Sequence, residues 1–117
     1  MRRLAVVLLL AATVATPAGA YSGARAGSCY TYARSAAVAA ILARESHGSP
    51  SADNPRSSAF GCGQLLYGMR LKYGRALGIN PNTRDPAKQM RIMHAYIDDR
   101  YGSDARALAF WRRHHWY

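Results

Sequence analysis

Residues 36–48 read AAVAAILARESHG. Alanine has the highest helix propensity of the amino acids, so this stretch favours an α-helix. The larger apolar side chains Val38, Ile41 and Leu42 recur at i, i+3 and i+4 and therefore share one face. The spacing predicts a helix over residues 30–47 that packs this face against the core and ends at the glycine of the quoted stretch.

Glu45 lies on the same face, seven residues after Val38, and it is the only glutamate in the sequence. A carboxyl group held against a core is partly removed from water, and this desolvation raises its pKa. A carboxyl that keeps its proton near neutral pH can act as a general acid. The alternative interpretation is structural, namely that Glu45 ends the helix and pairs with Arg44, His47 or Arg91.

The rest of the sequence predicts a mainly helical domain. Residues 48–59 are rich in serine and proline and indicate a loop of a length that is often functional. Residues 60–66 contain two glycines and are predicted to form a glycine-rich loop or a short strand segment between the first and second helices. Three further helices are predicted over residues 67–77, 86–101 and 104–112, with Asp85 and Asp104 as N-caps.

Length and composition exclude several classes of protein. The chain has 117 residues, 16 lysines and arginines against 6 acidic residues, and a net charge of +10. It has room for one domain, which excludes a large multidomain enzyme and a dinucleotide-binding fold with a separate substrate domain. Two cysteines exclude a four-cysteine zinc site, and the sequence predicts neither a metal nor another cofactor. The basic residues are scattered along the sequence, which argues against nucleic-acid binding.

The first twenty residues are typical of a secretory signal peptide. A basic start precedes an apolar run over residues 4–14, and the small residues Ala18 and Ala20 form a cleavage site. The run is too short to span a bilayer comfortably, although a retained membrane anchor is the alternative. Cleavage after Ala20 predicts a secreted protein, extracellular or in the cell wall. It would have a flexible lead-in over residues 21–29, a domain over residues 30–117 and no stable membrane insertion.

Export also bears on the two cysteines. An exported protein meets an oxidising compartment, where Cys29 and Cys62 are expected to form a disulfide. The alternative is a pair of buried free thiols. A bridge would help a domain of this size, because a small domain buries a modest share of its surface.

The chain resembles the lysozyme-like soluble lytic transglycosylase superfamily, and most closely the short secreted domains of Gram-positive bacteria. The resemblance is carried by residues 41–48, ILARESHG, then by Asn54, and then by residues 59–64, AFGCGQ. The family pattern is a helix that ends in Glu-Ser, a loop with an asparagine, and a Gly-x-x-Gln motif. The similarity extends over about residues 36–117.

This resemblance implies packed helices around a glycan-binding groove, a mainly α or α+β lysozyme-like fold, with Glu45 as the catalytic acid/base. It implies substrate contacts from Ser46 and Asn54, and it matches Gln64 to the motif glutamine in the cleft. Tyr96 is similar to the family's helix tyrosine near the glutamate, and it is expected to contact the substrate. Apart from the resemblance, the aromatic side chains Trp111 and Trp116 are candidates for stacking on sugars.

The expected partner is peptidoglycan, bound by a monomer. The expected reaction is cleavage of the β-1,4 bond between N-acetylmuramic acid and N-acetylglucosamine, with a 1,6-anhydro product. One alternative is a hydrolytic lysozyme, in which Asp53 would hold the attacking water. Another is a binding module of the same fold with weak activity, because Phe110 and Trp111 replace the Tyr-Asn pair of many family members. A cationic membrane-active or nucleic-acid-binding peptide is supported only by charge.

Overall fold

A computed structural model describes residues 28–117. The predicted signal peptide and residues 21–27 of the predicted lead-in lie outside the described residues. Residues 28–117 form a small, compact all-α domain of four helices without a strand. After a short 3-10 helix at Cys29–Tyr32, the helices are α1 (Ala36–Glu45), α2 (Tyr67–Leu77), α3 (Pro86–Tyr101) and α4 (Asp104–His114).

The first helix is shorter than predicted. The stretch predicted as one helix over residues 30–47 contains the 3-10 helix, a break, and then α1. The break occurs because the hydroxyl of Ser35 accepts a hydrogen bond from the amide of Val38 at 3.1 Å and thereby caps a new helix. The predicted bounds of α2 and α3 are confirmed.

Of the two N-caps predicted from the sequence, one is confirmed and the other is wrong. Asp85 caps α3 as predicted, since its carboxylate accepts from the amide of Ala87 at 3.1 Å. For α4 the prediction of Asp104 is wrong by one residue. Ser103 is the cap and accepts from the amide of Arg106 at 3.2 Å. Asp104 instead occupies the first turn, where the helix dipole favours a negative charge.

The segment over residues 60–66 is a loop, and the strand alternative is wrong. It forms only isolated bridges at Phe60, and the side chain of Gln89 on α3 fixes the segment to its neighbours. The side chain of Gln89 accepts from the amide of Cys62 at 2.8 Å and donates to the carbonyls of Pro50 and Thr83, both at 2.9 Å. A Cβ atom on Gly61 would lie 2.5 Å from Oε1 of Gln89, so only glycine allows this approach.

The largest fully buried side chains of the core come from α1, α3 and a disulfide. The predicted bridge between Cys29 and Cys62 is confirmed, and both residues are fully buried. Ser28 is also buried, so the packed part of the chain includes the end of the predicted lead-in. The largest fully buried side chains besides the cysteines are Val38, Ile41, Leu42, Met90, Met93 and Ile97.

A charged cluster fastens α1 to the two C-terminal helices. The guanidinium of Arg34 binds the carboxylates of both Asp98 and Asp104, and Ser35 donates to Asp104 at 2.7 Å. Asp98 remains exposed although it pairs with Arg34. No helix within residues 28–117 is long and apolar enough to cross a membrane.

Candidate active site

Glu45 is the last residue of α1, and its side chain is half-buried. The helix face that carries it also carries Ile41 and Leu42, which are fully buried, so the carboxyl lies at the edge of the core. The backbone turns away directly afterwards, with φ values of +51° at His47 and +74° at Gly48. This left-handed turn ends the helix and leaves Glu45 beside α4 rather than inside a longer helix.

The Glu45 carboxyl has one hydrogen-bond partner within residues 28–117. The indole Nε1 of Trp111 donates to Oε1 of Glu45 at 2.7 Å. The guanidinium of Arg44 lies over the Trp111 ring, 4.9 Å from its centre, where a cation–π contact stabilises the indole. Burial raises the pKa of Glu45 above its usual range, while the hydrogen bond from Trp111 lowers it, and burial is the larger influence.

No second carboxylate within residues 28–117 contributes to the shifted pKa of Glu45. The sequence-based candidate, Asp53, is exposed and lines a different cleft together with Arg70 and Arg84. No group of three or more histidine, cysteine, aspartate or glutamate side chains in this part of the chain could hold a metal ion. The proton chemistry available at this site therefore depends on Glu45.

Tyr117 closes the site from the C-terminal side. Its hydroxyl donates to the carbonyl of Gly63 at 2.7 Å, and its ring packs edge-on against Tyr96 with 5.3 Å between centres. Burial, followed by the charge of Glu45, raises the pKa of Tyr117 well above its usual value. A Cβ atom on Gly63 would lie 2.8 Å from this hydroxyl, so glycine is required for the contact.

Two of the predicted substrate contacts are buried supports. Ser46 is 4% exposed, and its hydroxyl accepts from the amide of Gly48 at 3.2 Å, which stabilises the turn after α1. Tyr96 is 2% exposed and packs edge-on against Tyr73, Tyr101 and Tyr117. Both side chains are therefore largely shielded from solvent. Tyr96 acts on the site through Tyr117, against which it packs.

Gln64 and Asn54 belong to the loop that leads from α1 to α2. Gln64 has a left-handed backbone at φ +51°, and its Nε2 donates to the carbonyls of Ala52 at 2.9 Å and Gly61 at 3.0 Å. Asn54 is exposed, and its Oδ1 accepts from the amide of Arg56 at 2.9 Å. Both side chains shape the loop, and neither forms a hydrogen bond with Glu45 among the described residues.

The two tryptophans have different surroundings. Trp111, predicted to stack on sugar, uses its indole N–H to bind Glu45. Trp116 is 51% exposed and packs edge-on against Phe110 with 4.8 Å between ring centres. Trp116 therefore remains the candidate that has free surface for a sugar ring.

The sequence analysis did not identify Gln89 as a residue that fixes the loop after α1. The sequence carried a signal for it, since Gln89 shares a face of α3 with the buried Met93.

We expect Trp111→Phe to raise the pKa of Glu45, because phenylalanine keeps the ring but removes the donor that stabilises the ionised carboxylate. If Glu45 acts as an acid, activity falls as the pH rises through the pKa of Glu45. The higher pKa in Trp111→Phe will therefore move this fall in activity to a higher pH. The free energy of unfolding should fall by about 1.5–3 kcal/mol, the typical value for a lost hydrogen bond to a charged group. Carbon-13 NMR titration of the Glu45 carboxyl measures the shift. Trp116→Phe is the matched control, and an unchanged pKa in Trp111→Phe would contradict the role given to the indole N–H.

Comparison of the chain with protein families, with curated proteins and with solved structures finds no match. The resemblance to the lytic transglycosylases therefore rests on the motif residues themselves.

Proposed function

We propose that the chain is a secreted lytic transglycosylase that cleaves peptidoglycan with Glu45 as its single acid/base. The observation that carries the proposal is the half-buried carboxyl of Glu45, whose pKa burial raises. It stands at the end of a rigid helix, held by the Trp111 indole. The Glu-Ser motif at the end of α1 and the Gly-x-x-Gln motif within the loop between α1 and α2 add support, because both are part of the pattern of the resembled family.

In the first step, protonated Glu45 donates its proton to the oxygen of the β-1,4 bond between N-acetylmuramic acid and N-acetylglucosamine. The bond to the anomeric carbon breaks, and N-acetylglucosamine leaves as an alcohol. Positive charge develops at the anomeric carbon of the muramic acid, where the carbonyl oxygen of the substrate's own N-acetyl group stabilises it. This route suits a site with one carboxylate, because glycosidases that lack substrate assistance commonly use two.

In the second step, the ionised Glu45 acts as a base. It takes the proton from the 6-hydroxyl of the same muramic acid, whose oxygen bonds to the anomeric carbon and closes a 1,6-anhydro ring. Glu45 ends the cycle protonated, ready for the next bond. The Trp111 N–H stabilises the ionised form between the two steps, and burial favours the protonated form before the first.

A second candidate is a wall-binding module with little turnover. It is favoured by the Phe110-Trp111 pair, which occupies the position where many members of the resembled family have Tyr-Asn. The indole N–H of Trp111 is occupied by Glu45, so it is not free to bind an N-acetyl group. The exposed face of Trp116 would still offer a platform for a sugar ring.

Mass spectrometry of digested sacculi tests the proposal. We expect muropeptides that end in 1,6-anhydro-muramic acid and are lighter by one water than the hydrolytic product. A reducing muramic acid end would identify a hydrolytic lysozyme instead. Binding to sacculi without released muropeptides would favour the binding module.

Secretion is part of this proposal, and the net charge supports a wall partner. Cleavage after Ala20 removes Arg2 and Arg3, so the secreted chain carries a net charge of +8 and is attracted to anionic polymers such as the muropeptides and teichoic acids of a cell wall. The buried disulfide agrees with an oxidising compartment.

A further inference from the structure

A second concave surface, called here the α2 cleft, lies beside the start of α2. It is wide and open, with a volume of about 580 Å³, and Glu45 does not line it. The lining side chains that matter are Asp53, Phe60, Tyr67, Arg70 and Arg84. The catalytic proposal uses none of them as an acid or base, so the cleft needs an explanation of its own.

Arg70 is a buried cation that forms no ion pair within residues 28–117. It is 9% exposed, and the groups that accept its four hydrogen bonds are the carbonyls of Ser58, Leu65 and Pro81 and the side chain of Asn82. Burial lowers its pKa, and the smaller influences of Tyr67 and of the Asp53 charge raise it. A buried charge whose hydrogen-bond partners are all neutral is costly, and a further anion nearby would offset that cost.

Arg84 adds a second positive charge to the same cleft. It is exposed, and no hydrogen bond or ion pair within the described part of the chain occupies its guanidinium. The guanidinium groups of Arg70 and Arg84 lie 5.6 Å and 5.8 Å from the centre of the Phe60 ring, and Arg70 also lies 5.5 Å from the Tyr67 ring. Two cations and two aromatic surfaces thus converge at one place.

Asp53 limits the charge that the cleft can accept. It contributes one negative charge against the two positive charges, so the lining carries a net charge of about +1. A singly charged carboxylate balances this surface better than a doubly charged phosphate. The exposed ring of Tyr67 and the part-buried ring of Phe60 provide apolar contact for the body of such a ligand.

We propose that the α2 cleft binds a carboxylate-bearing ligand, with its carboxylate on Arg84 and its body on Phe60 and Tyr67. The identity of this ligand rests on the proposed function. For a protein that cleaves peptidoglycan, the ligand is the peptide stem of peptidoglycan, whose side chains and ends carry carboxylates. The cleft would then select glycan strands that still bear stems, while Glu45 cleaves the glycan.

Titration of the protein with muramyl dipeptide, followed by NMR, tests the proposal. This glycopeptide carries one sugar and has no bond for Glu45 to cleave, so its binding is measured independently of catalysis. We expect shift changes at Phe60, Tyr67 and Arg84. Arg84→Gln should weaken binding about tenfold, which corresponds to the loss of one charge-assisted contact of about 1.4 kcal/mol. Arg91→Gln, an exposed arginine on α3, is the matched control and should bind as the wild type does.

Three results would overturn the proposal. The first is equal affinity of Arg84→Gln and the wild type for the dipeptide. The second is equal affinity of the wild type for the dipeptide and for its fully amidated form. The third is displacement of the bound ligand by inorganic phosphate at a lower concentration than by the dipeptide. Failure of the catalytic proposal is read separately, from the products of sacculus digestion. If the digestion yields no cleavage but the dipeptide binds as expected, the cleft remains a carboxylate site in a wall-binding protein.

Discussion

Glu45→Gln abolishes the turnover of peptidoglycan and leaves the fold intact. The amide is close in shape to the carboxyl, and its oxygen can still accept the hydrogen bond of Trp111, so packing at the end of α1 is preserved. It can neither give a proton to the glycosidic oxygen nor take one from the muramic 6-hydroxyl. General acid–base catalysis contributes typically 10²–10⁴-fold, and both steps use this one group, so we expect a loss of at least about a thousandfold.

The measurement is the rate of muropeptide release from sacculi, with circular dichroism to confirm the fold. Asp99→Asn is the matched control, because it removes an exposed carboxylate that lines neither the Glu45 site nor the α2 cleft. We expect Asp99→Asn to retain the wild-type rate of bond cleavage. Full activity in Glu45→Gln would end the acid/base assignment. A third variant, Asp53→Asn, tests the hydrolytic alternative, because its loss of activity together with Glu45→Gln would favour a water positioned by Asp53.

Removal of the disulfide destabilises the domain by about 3–4 kcal/mol. Cys29 and Cys62 are 33 positions apart, and the bridge restricts the unfolded chain by closing that loop. Small domains have total stabilities of about 5–15 kcal/mol, so the loss is a large fraction of the whole. The bridge also fixes the 3-10 helix to the loop that carries Gln64, and we expect its loss to loosen that loop before the rest of the core.

Guanidinium unfolding of the wild type and of the double variant Cys29→Ala/Cys62→Ala measures this loss. Alanine avoids burying an unpaired hydroxyl at two fully buried positions. The wild type in excess reductant is the second arm, and its unfolding midpoint should fall to a similar value. Equal midpoints in oxidised and reduced wild type would contradict the stabilising role of the bridge.

Much of the fold could be predicted from local pattern. The Asp85-Pro86 pair and Gly102 bound α3 because capping acts over a few residues of backbone. The spacing of Val38, Ile41 and Leu42 was enough to place Glu45 on a core-facing helix face. The disulfide followed from an even cysteine count and an exported context. Local pattern did not predict where α1 begins. The alanine-rich stretch favours helix throughout, so the pattern did not show that Ser35 would act as a cap and begin a new helix.

The sequence by itself determined the helices, the disulfide and the placement of one carboxyl at the edge of the core. Only the tertiary structure decided what surrounds that carboxyl. Trp111 meets Glu45 across 66 positions and Tyr117 meets Gly63 across 54. Helix periodicity tells which residues share a face, but it carries no information about how two helices are oriented or which atoms meet. For the same reason Tyr96, which the family resemblance placed at the substrate, lies in the core behind Tyr117.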